Sequence, residues 1–166
     1  MKRNGLKIFL LFVGAVFLGV GLGGCAALKG GPPAATLNLT PDKIVLSPVL
    51  IKKPVVFTGS GFGPKEIVVI ELLLPKGVTV KGVPEGENAA LGNGTTDEKG
   101  NLKTKMGVMT TLNTLFQVGW TPLIKPDFKQ ARPLPPGTYD VIATGMYSDR
   151  VAKAKLTILP PPKKKK

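Results

Sequence analysis

Apolar and polar residues alternate through most of this chain, from residue 36 to residue 159. Leu37 and Leu39 stand between polar neighbours, and the same period of two returns at Ala154, Leu156 and Ile158. Glycine, proline, asparagine and aspartate interrupt the apolar runs at short intervals. This pattern indicates half-buried strands joined by turns. We therefore predict an all-β antiparallel sandwich of about seven strands over residues 36–160.

Three stretches sharpen the predicted strand order. Residues 66–74 are almost continuously apolar, which favours a central strand covered on both faces. Residues 95–106 predict a hairpin, because Gly100 stands where its turn needs a positive φ. Residues 139–144 and 152–158 predict the last two strands, with Lys153 and Lys155 on the outer face of the second.

The stretch between residues 106 and 135 does not follow the period of two. Met109, Leu112, Leu115 and Phe116 recur at helical spacing, so we predict a short helix over residues 110–118 inside a long loop.

Loops of this length in compact domains are usually functional or disordered, and this one is too rich in apolar residues to be disordered. Its aromatic side chains Phe116, Trp120 and Phe128 are the candidate binding residues. The competing interpretation is a lid that seals one end of the core.

The N-terminus has the composition of a secretory signal. Lys2, Arg3 and Lys7 precede an uncharged apolar run over residues 8–20, and small residues follow. The run is short for a membrane span, which needs about 20 apolar residues. Residues 1–24 are therefore predicted to be a signal peptide.

The segment Leu22-Gly23-Gly24-Cys25 resembles the lipobox of bacterial lipoproteins. The resemblance implies cleavage between Gly24 and Cys25, acylation of Cys25 and a membrane anchor at that residue. Residues 25–35, which contain glycine and proline but no periodicity, would form the tether. Ala26 directly after the cysteine favours the outer membrane in a Gram-negative organism, according to the sorting rule of that family.

Two further segments resemble immunoglobulin-like modules. Val56-Phe57-Thr58-Gly59-Ser60-Gly61-Phe62 is similar to the I-x-G-x-G-F segment of the IPT/TIG family, in which the aromatic residue folds back onto the core. Residues 95–102 and Pro136-Gly137-Thr138-Tyr139 look like bacterial immunoglobulin-like surface modules. Tyr139 occupies the place of the tyrosine corner found in such sandwiches. The resemblance implies an immunoglobulin-like fold and no functional residue.

Composition removes most catalytic classes. The chain has no histidine, which excludes imidazole general bases and His-ligated metals, and its single cysteine excludes an internal disulfide. Among the acids, Glu66 and Glu71 would face opposite sides of a strand, and Glu85 and Glu87 read as solvated loop residues. We predict a non-enzymatic protein with no metal and no cofactor.

The net charge of +13 would fall to +10 on removal of residues 1–24, and this remaining excess raises the question of a nucleic-acid partner. Four of the cations form the C-terminal Lys run at residues 163–166, within a Pro/Lys tail over residues 161–166, and the rest are dispersed. No recognition helix or RNA-binding aromatic motif accompanies them, so a nucleic-acid partner is not predicted. The tail would be either solvated or a contact for anionic envelope surfaces.

Two functions remain open at this point. The first is a lipid-anchored envelope module for protein–protein interaction or adhesion. The second is a carbohydrate- or peptidoglycan-binding sandwich, in which Trp120, Phe116 or Tyr147 would form a stacking platform. An exposed, coplanar pair of aromatic side chains would favour the second.

The lipobox yields a direct test. Cys25→Ser removes the thiol that would be acylated, so the variant is expected to incorporate no fatty acid and to retain residues 1–24. Metabolic labelling with a clickable fatty acid, together with the mobility of the protein on a gel, measures both. Equal labelling of the variant and the parent would contradict the prediction.

Overall fold

The computed structural model describes residues 34–162 of the chain. Gly24, Cys25 and the lysines at 163–166 lie outside the described residues. Within the described part, no helix has the length and apolar character that a membrane crossing requires.

Over residues 34–162, eight strands form two sheets, and two more form a small ribbon. The three-stranded sheet has the order β1-β3-β6, with β1 Thr36–Thr40, β3 Val56–Ser60 and β6 Leu102–Lys105. The five-stranded sheet has the order β2-β10-β9-β4-β5, with β2 Lys43–Val45, β10 Val151–Leu159, β9 Gly137–Gly145, β4 Ile67–Leu72 and β5 Ala89–Thr95. The ribbon pairs β7 Gly119–Trp120 with β8 Pro126–Asp127.

Every sheet pair is antiparallel except one. After β1 the chain crosses to the other sheet through Pro41 and Asp42, and β2 then pairs in parallel with β10. Proline cannot donate to a ladder, so Pro41 ends the first pairing at the point of crossing. Two short α-helical turns complete the domain, α1 Val49–Lys52 and α2 Val108–Thr110. The result is the predicted all-β, immunoglobulin-like sandwich with a short helix.

The core lies between the two sheets. Val68, Ile70 and Leu72 of β4 are buried, and Phe57 and Leu102 from the other sheet belong to the same apolar cluster. This alternation confirms the period of two read from the sequence. β4 is an interior strand as predicted, but only one of its faces is fully buried, because Val69 and Glu71 on the other face remain half-exposed. The nearly continuous apolar sequence of β4 therefore does not mean that both of its faces are covered.

The predicted hairpin over residues 95–106 is wrong. Its turn forms, with the Gly100 amide donating to the Asp97 carbonyl at 3.1 Å and Gly100 at φ +75°. However, β5 before the turn pairs with β4, whereas β6 after it pairs with β3 in the other sheet. Thr96 explains the separation: it is buried, and its amide donates to the Glu66 carbonyl at 2.9 Å, which holds the end of β5 beside β4.

Tyr139 forms the predicted tyrosine corner. Its ring is buried, and its hydroxyl donates a hydrogen bond to the Pro135 carbonyl, four residues upstream, at 2.7 Å. Burial raises the pKa of this phenol above its ordinary value of 10.0. Phe62 is also buried, as predicted, and packs so close to Gly59 that a Cβ there would crowd both the ring and the Thr36 carbonyl.

These two aromatic residues define a stability test. Replacing either Tyr139 or Phe62 by alanine is expected to lower the free energy of unfolding by about 3–5 kcal/mol, since both rings fill the core. Tyr139→Phe keeps the ring and loses only the hydrogen bond, so about 1 kcal/mol is expected. Urea denaturation measures all three variants. Midpoints equal to that of the parent for both alanine variants would refute the packing described here.

Candidate functional site

The predicted site segment, residues 107–134, is rooted in the core. Leu112, Leu115, Val118 and Leu134 are all buried, and the Leu134 amide donates to the Leu115 carbonyl at 2.9 Å. That bond joins the last residue of the segment to the end of its helical turn. These four buried residues form the root of the segment and act as the predicted lid on the core. Only the other residues of the segment are free to contact a partner.

The predicted helix is present and ends three residues early. α2 continues into a wider π-type turn over Thr111–Leu115, in which the Phe116 amide donates to the Thr111 carbonyl at 3.0 Å. The Thr114 hydroxyl donates to the Ala90 carbonyl on β5 at 3.3 Å. Such wide turns are uncommon and are often found at functional sites. Here the turn is followed by the buried residues Phe116 and Val118, and the β7–β8 ribbon begins at Gly119.

The ribbon ends in an apolar tip. Leu123 is 77% exposed and Ile124 is 80% exposed, both at the turn between β7 and β8. Three hydrogen bonds hold the turn: Ile124 N–H to the Thr121 carbonyl, Thr121 N–H to the Lys125 carbonyl, and Lys125 N–H to the Thr121 hydroxyl.

Ile124 adopts φ +55°, a region that β-branched residues rarely enter. A polar residue or glycine would suit this position better, so stability alone does not explain an isoleucine there. A side chain that is exposed and held in a strained backbone conformation is instead typical of a functional position.

The three aromatic residues chosen from the sequence lie in different environments. Phe116 is buried, and its ring meets that of Phe128 edge to face, with centroids 6.3 Å apart and planes at 83°. Phe128 is about half-exposed. Trp120 is half-buried, and its indole N–H donates to Asn113 Oδ1 at 2.9 Å. Phe116 and Phe128 thus come together, while Trp120 is engaged with the helical turn.

Sequence reasoning missed Leu123 and Ile124. The available signal was a pair of large aliphatic residues, between Pro122 and Lys125, in a stretch with the proline-and-lysine composition of a turn. Apolar pairs usually indicate core, and only the ribbon shows that this pair faces solvent.

Glu66 is the one buried carboxylate that the structure describes. It is 1% exposed, and its oxygens accept hydrogen bonds from the amides of Gly63, Tyr147 and Ser148 and from the Ser148 hydroxyl. A Cβ at Gly145 would lie 2.5 Å from Glu66 Oε1, so only glycine leaves room for the carboxylate. The group joins the start of β4 to the turn between β9 and β10.

The same contacts determine its ionisation. Burial on its own would raise the pKa of Glu66, but the hydrogen bonds from Ser148, Gly63 and Tyr147 outweigh burial, and the pKa lies below its ordinary value of 4.5. A carboxylate that is ionised and accepts hydrogen bonds from several amides is suited to holding loops together. The described residues contain no group of three potential metal ligands.

No protein-family model matches this chain, and no similar curated protein was found. The exposed tip of the ribbon is a feature that neither core packing nor turn chemistry explains.

Glu66 gives a pH-dependent prediction. Because its pKa is lower in the folded state than in the unfolded chain, the stability it contributes is fully present above about pH 4.5 and is lost as the pH falls through the folded value. Glu66→Gln should lower the free energy of unfolding by about 1–3 kcal/mol at neutral pH, since a buried network is broken. It should also flatten the acid side of the pH profile.

Chemical denaturation at several pH values measures this effect. Glu71→Gln, on the half-exposed face of β4, is the matched control and should keep the acid slope of the parent. Parallel profiles for the parent and Glu66→Gln would rule out the assignment.

Proposed function

We propose that this protein is a lipid-anchored, non-catalytic immunoglobulin-like module of the bacterial cell envelope that binds a protein partner. Cys25 carries the anchor, and residues 25–35 tether the sandwich to the membrane. In a Gram-negative organism the outer membrane is the favoured location. The support for the anchor is the lipobox-like segment, which contains the only cysteine of the chain.

The single observation that carries the binding function is the exposed apolar tip. Leu123 and Ile124 leave most of their surface in water, on a ribbon whose base is fixed in the core. Protein interfaces commonly place a few apolar anchors at the centre and polar or charged residues around them. Thr121 and Lys125 flank the tip in that way, and Phe128 adds a half-exposed ring on the same segment.

A rigid support adds to this argument. Binding costs less when the contact residues are already held in place, because less conformational entropy is lost. The three hydrogen bonds within the turn and the Trp120–Asn113 bond restrain the ribbon before any partner arrives.

The aromatic residues do not favour the carbohydrate alternative. Sugar platforms need exposed, coplanar ring faces, but Phe116 is buried and its ring plane lies at 83° to that of Phe128. Tyr147 is well exposed, but it lies in the turn after β9, whereas Trp120 lies in β7. The two residues therefore belong to different elements of the fold. A protein partner at the apolar tip accounts for more of the structure.

The tip provides the test. The double variant Leu123→Ser/Ile124→Ser should reduce capture of the partner from solubilised envelope membranes by roughly tenfold or more, because a few well-buried contact residues carry most of the binding energy of an interface. Its thermal unfolding should match that of the parent, since neither side chain packs in the core. A photo-crosslinking residue at position 123 should give a discrete adduct.

Two comparison variants sharpen the result. Val49→Ser/Val151→Ser changes exposed apolar residues elsewhere and should leave capture intact. Replacing residues 109–129 with a Gly-Ser linker should unfold the domain, since it removes Leu112, Leu115 and Val118 from the core. Equal capture by the tip variant and the parent would refute the proposal.

A further inference from the structure

A groove of about 900 Å³ lies beside the root of the ribbon. One wall is the loop over residues 77–81, the other is the stretch over residues 129–135, and residues 117–119 lie between them. The walls belong to two separate connections, the one between β4 and β5 and the one that leads into β9. Its volume falls within the range of typical ligand sites.

Gln117 holds the two walls in position. Its side-chain carbonyl accepts from the Lys81 amide at 2.9 Å, and its side-chain amide donates to the Thr79 carbonyl at 3.3 Å. Its main-chain carbonyl accepts from the Arg132 amide on the opposite wall at 3.3 Å. Gln117 adopts φ +47°, an uncommon conformation for a residue other than glycine. A strained residue with all of these groups engaged indicates that the geometry of the groove is specified.

The groove is positively charged. Lys81, Lys129 and Arg132 line it, and none of the described residues that line it is acidic. The ion pairs found among the described residues, Lys65–Glu98 and Lys155–Asp140, involve none of these three cations. A concave surface lined by cations attracts an anion, and the arginine can bind a carboxylate through two parallel hydrogen bonds.

Four of the other lining residues, Val78, Ala131, Pro133 and Pro135, are apolar, whereas Thr79, Gln117 and Gln130 carry polar side chains. A small inorganic anion would leave this apolar surface uncovered. An extended peptide in which carboxylates alternate with apolar side chains would match both the cations and the apolar lining residues. Extended peptides commonly bind through alternate side chains.

We infer that this groove binds an acidic, extended peptide segment. The inference rests on the proposed function, since it gives the chemistry of one part of the protein partner. The groove recognises the carboxylates through its three cations, while the apolar tip of the ribbon provides a separate contact. The assignments of the groove and of the tip can therefore be tested separately.

The full chain, purified in a non-ionic detergent, is titrated into a short fluorescent peptide of alternating glutamate and valine, and anisotropy is recorded. Saturable binding is expected, and a peptide with glutamine in place of glutamate should bind at least tenfold more weakly. The variant Lys81→Gln/Lys129→Gln/Arg132→Gln should lose roughly tenfold in affinity, the effect of three exposed charge pairs. Added salt should weaken binding of the parent.

The matched control is Lys103→Gln/Lys105→Gln/Lys153→Gln, which removes the same charge from exposed strand positions and should bind as the parent does. Equal losses in the two triple variants would overturn the inference, because binding would then follow net charge alone. Groove-dependent binding of polygalacturonate without binding of the peptide would also overturn it.

The tip variant Leu123→Ser/Ile124→Ser separates this test from that of the proposed function. It should bind the peptide normally. If the tip variant captures as much partner as the parent and also binds the peptide normally, the tip assignment is wrong and the groove assignment stands. If the groove variant binds peptide as the parent does, only the groove assignment fails.

Discussion

The buried carboxylate of Glu66 is the contact on which one whole end of the sandwich depends. It accepts hydrogen bonds from the Gly63 amide before β4 and from Tyr147 and Ser148 in the turn between β9 and β10. The main chain of Glu66 also bonds to Thr96 at the end of β5. Three connections are thus fixed by one residue, and only its ionised form can accept from all of these donors at once.

In contrast to the buried Glu66, the segment between β6 and β9 exposes apolar side chains. Its root contributes Leu112, Leu115 and Val118 to the core, so it cannot move away from the sandwich without opening it. This anchoring allows the ribbon to hold Leu123 and Ile124 in water and allows Gln117 to set the width of the groove. The rigidity of the two proposed binding surfaces therefore follows from the packing beneath them.

The strands were predictable because alternation along a strand is a local property that reflects one buried face. The tyrosine corner was predictable for a similar reason, since Tyr139 and its acceptor Pro135 are four residues apart. The partner strands of β5 and β6 were not predictable, because a turn like that at Asp97–Gly100 can connect either the two strands of a hairpin or two strands in different sheets. The choice depends on Thr96 and Glu66, which are separated by thirty residues along the chain.

The fold class and the burial of Phe62 and Tyr139 could be predicted from the sequence, as could the segment that contains the candidate binding residues. Which residues of that segment are exposed depends on how the folded chain packs. Apolar side chains look alike in sequence whether they fill a core or face a partner, and burial depends on neighbours distant in the chain. Phe116 is buried and Ile124 is exposed for that reason. The basic groove likewise exists only because two remote loops meet at Gln117.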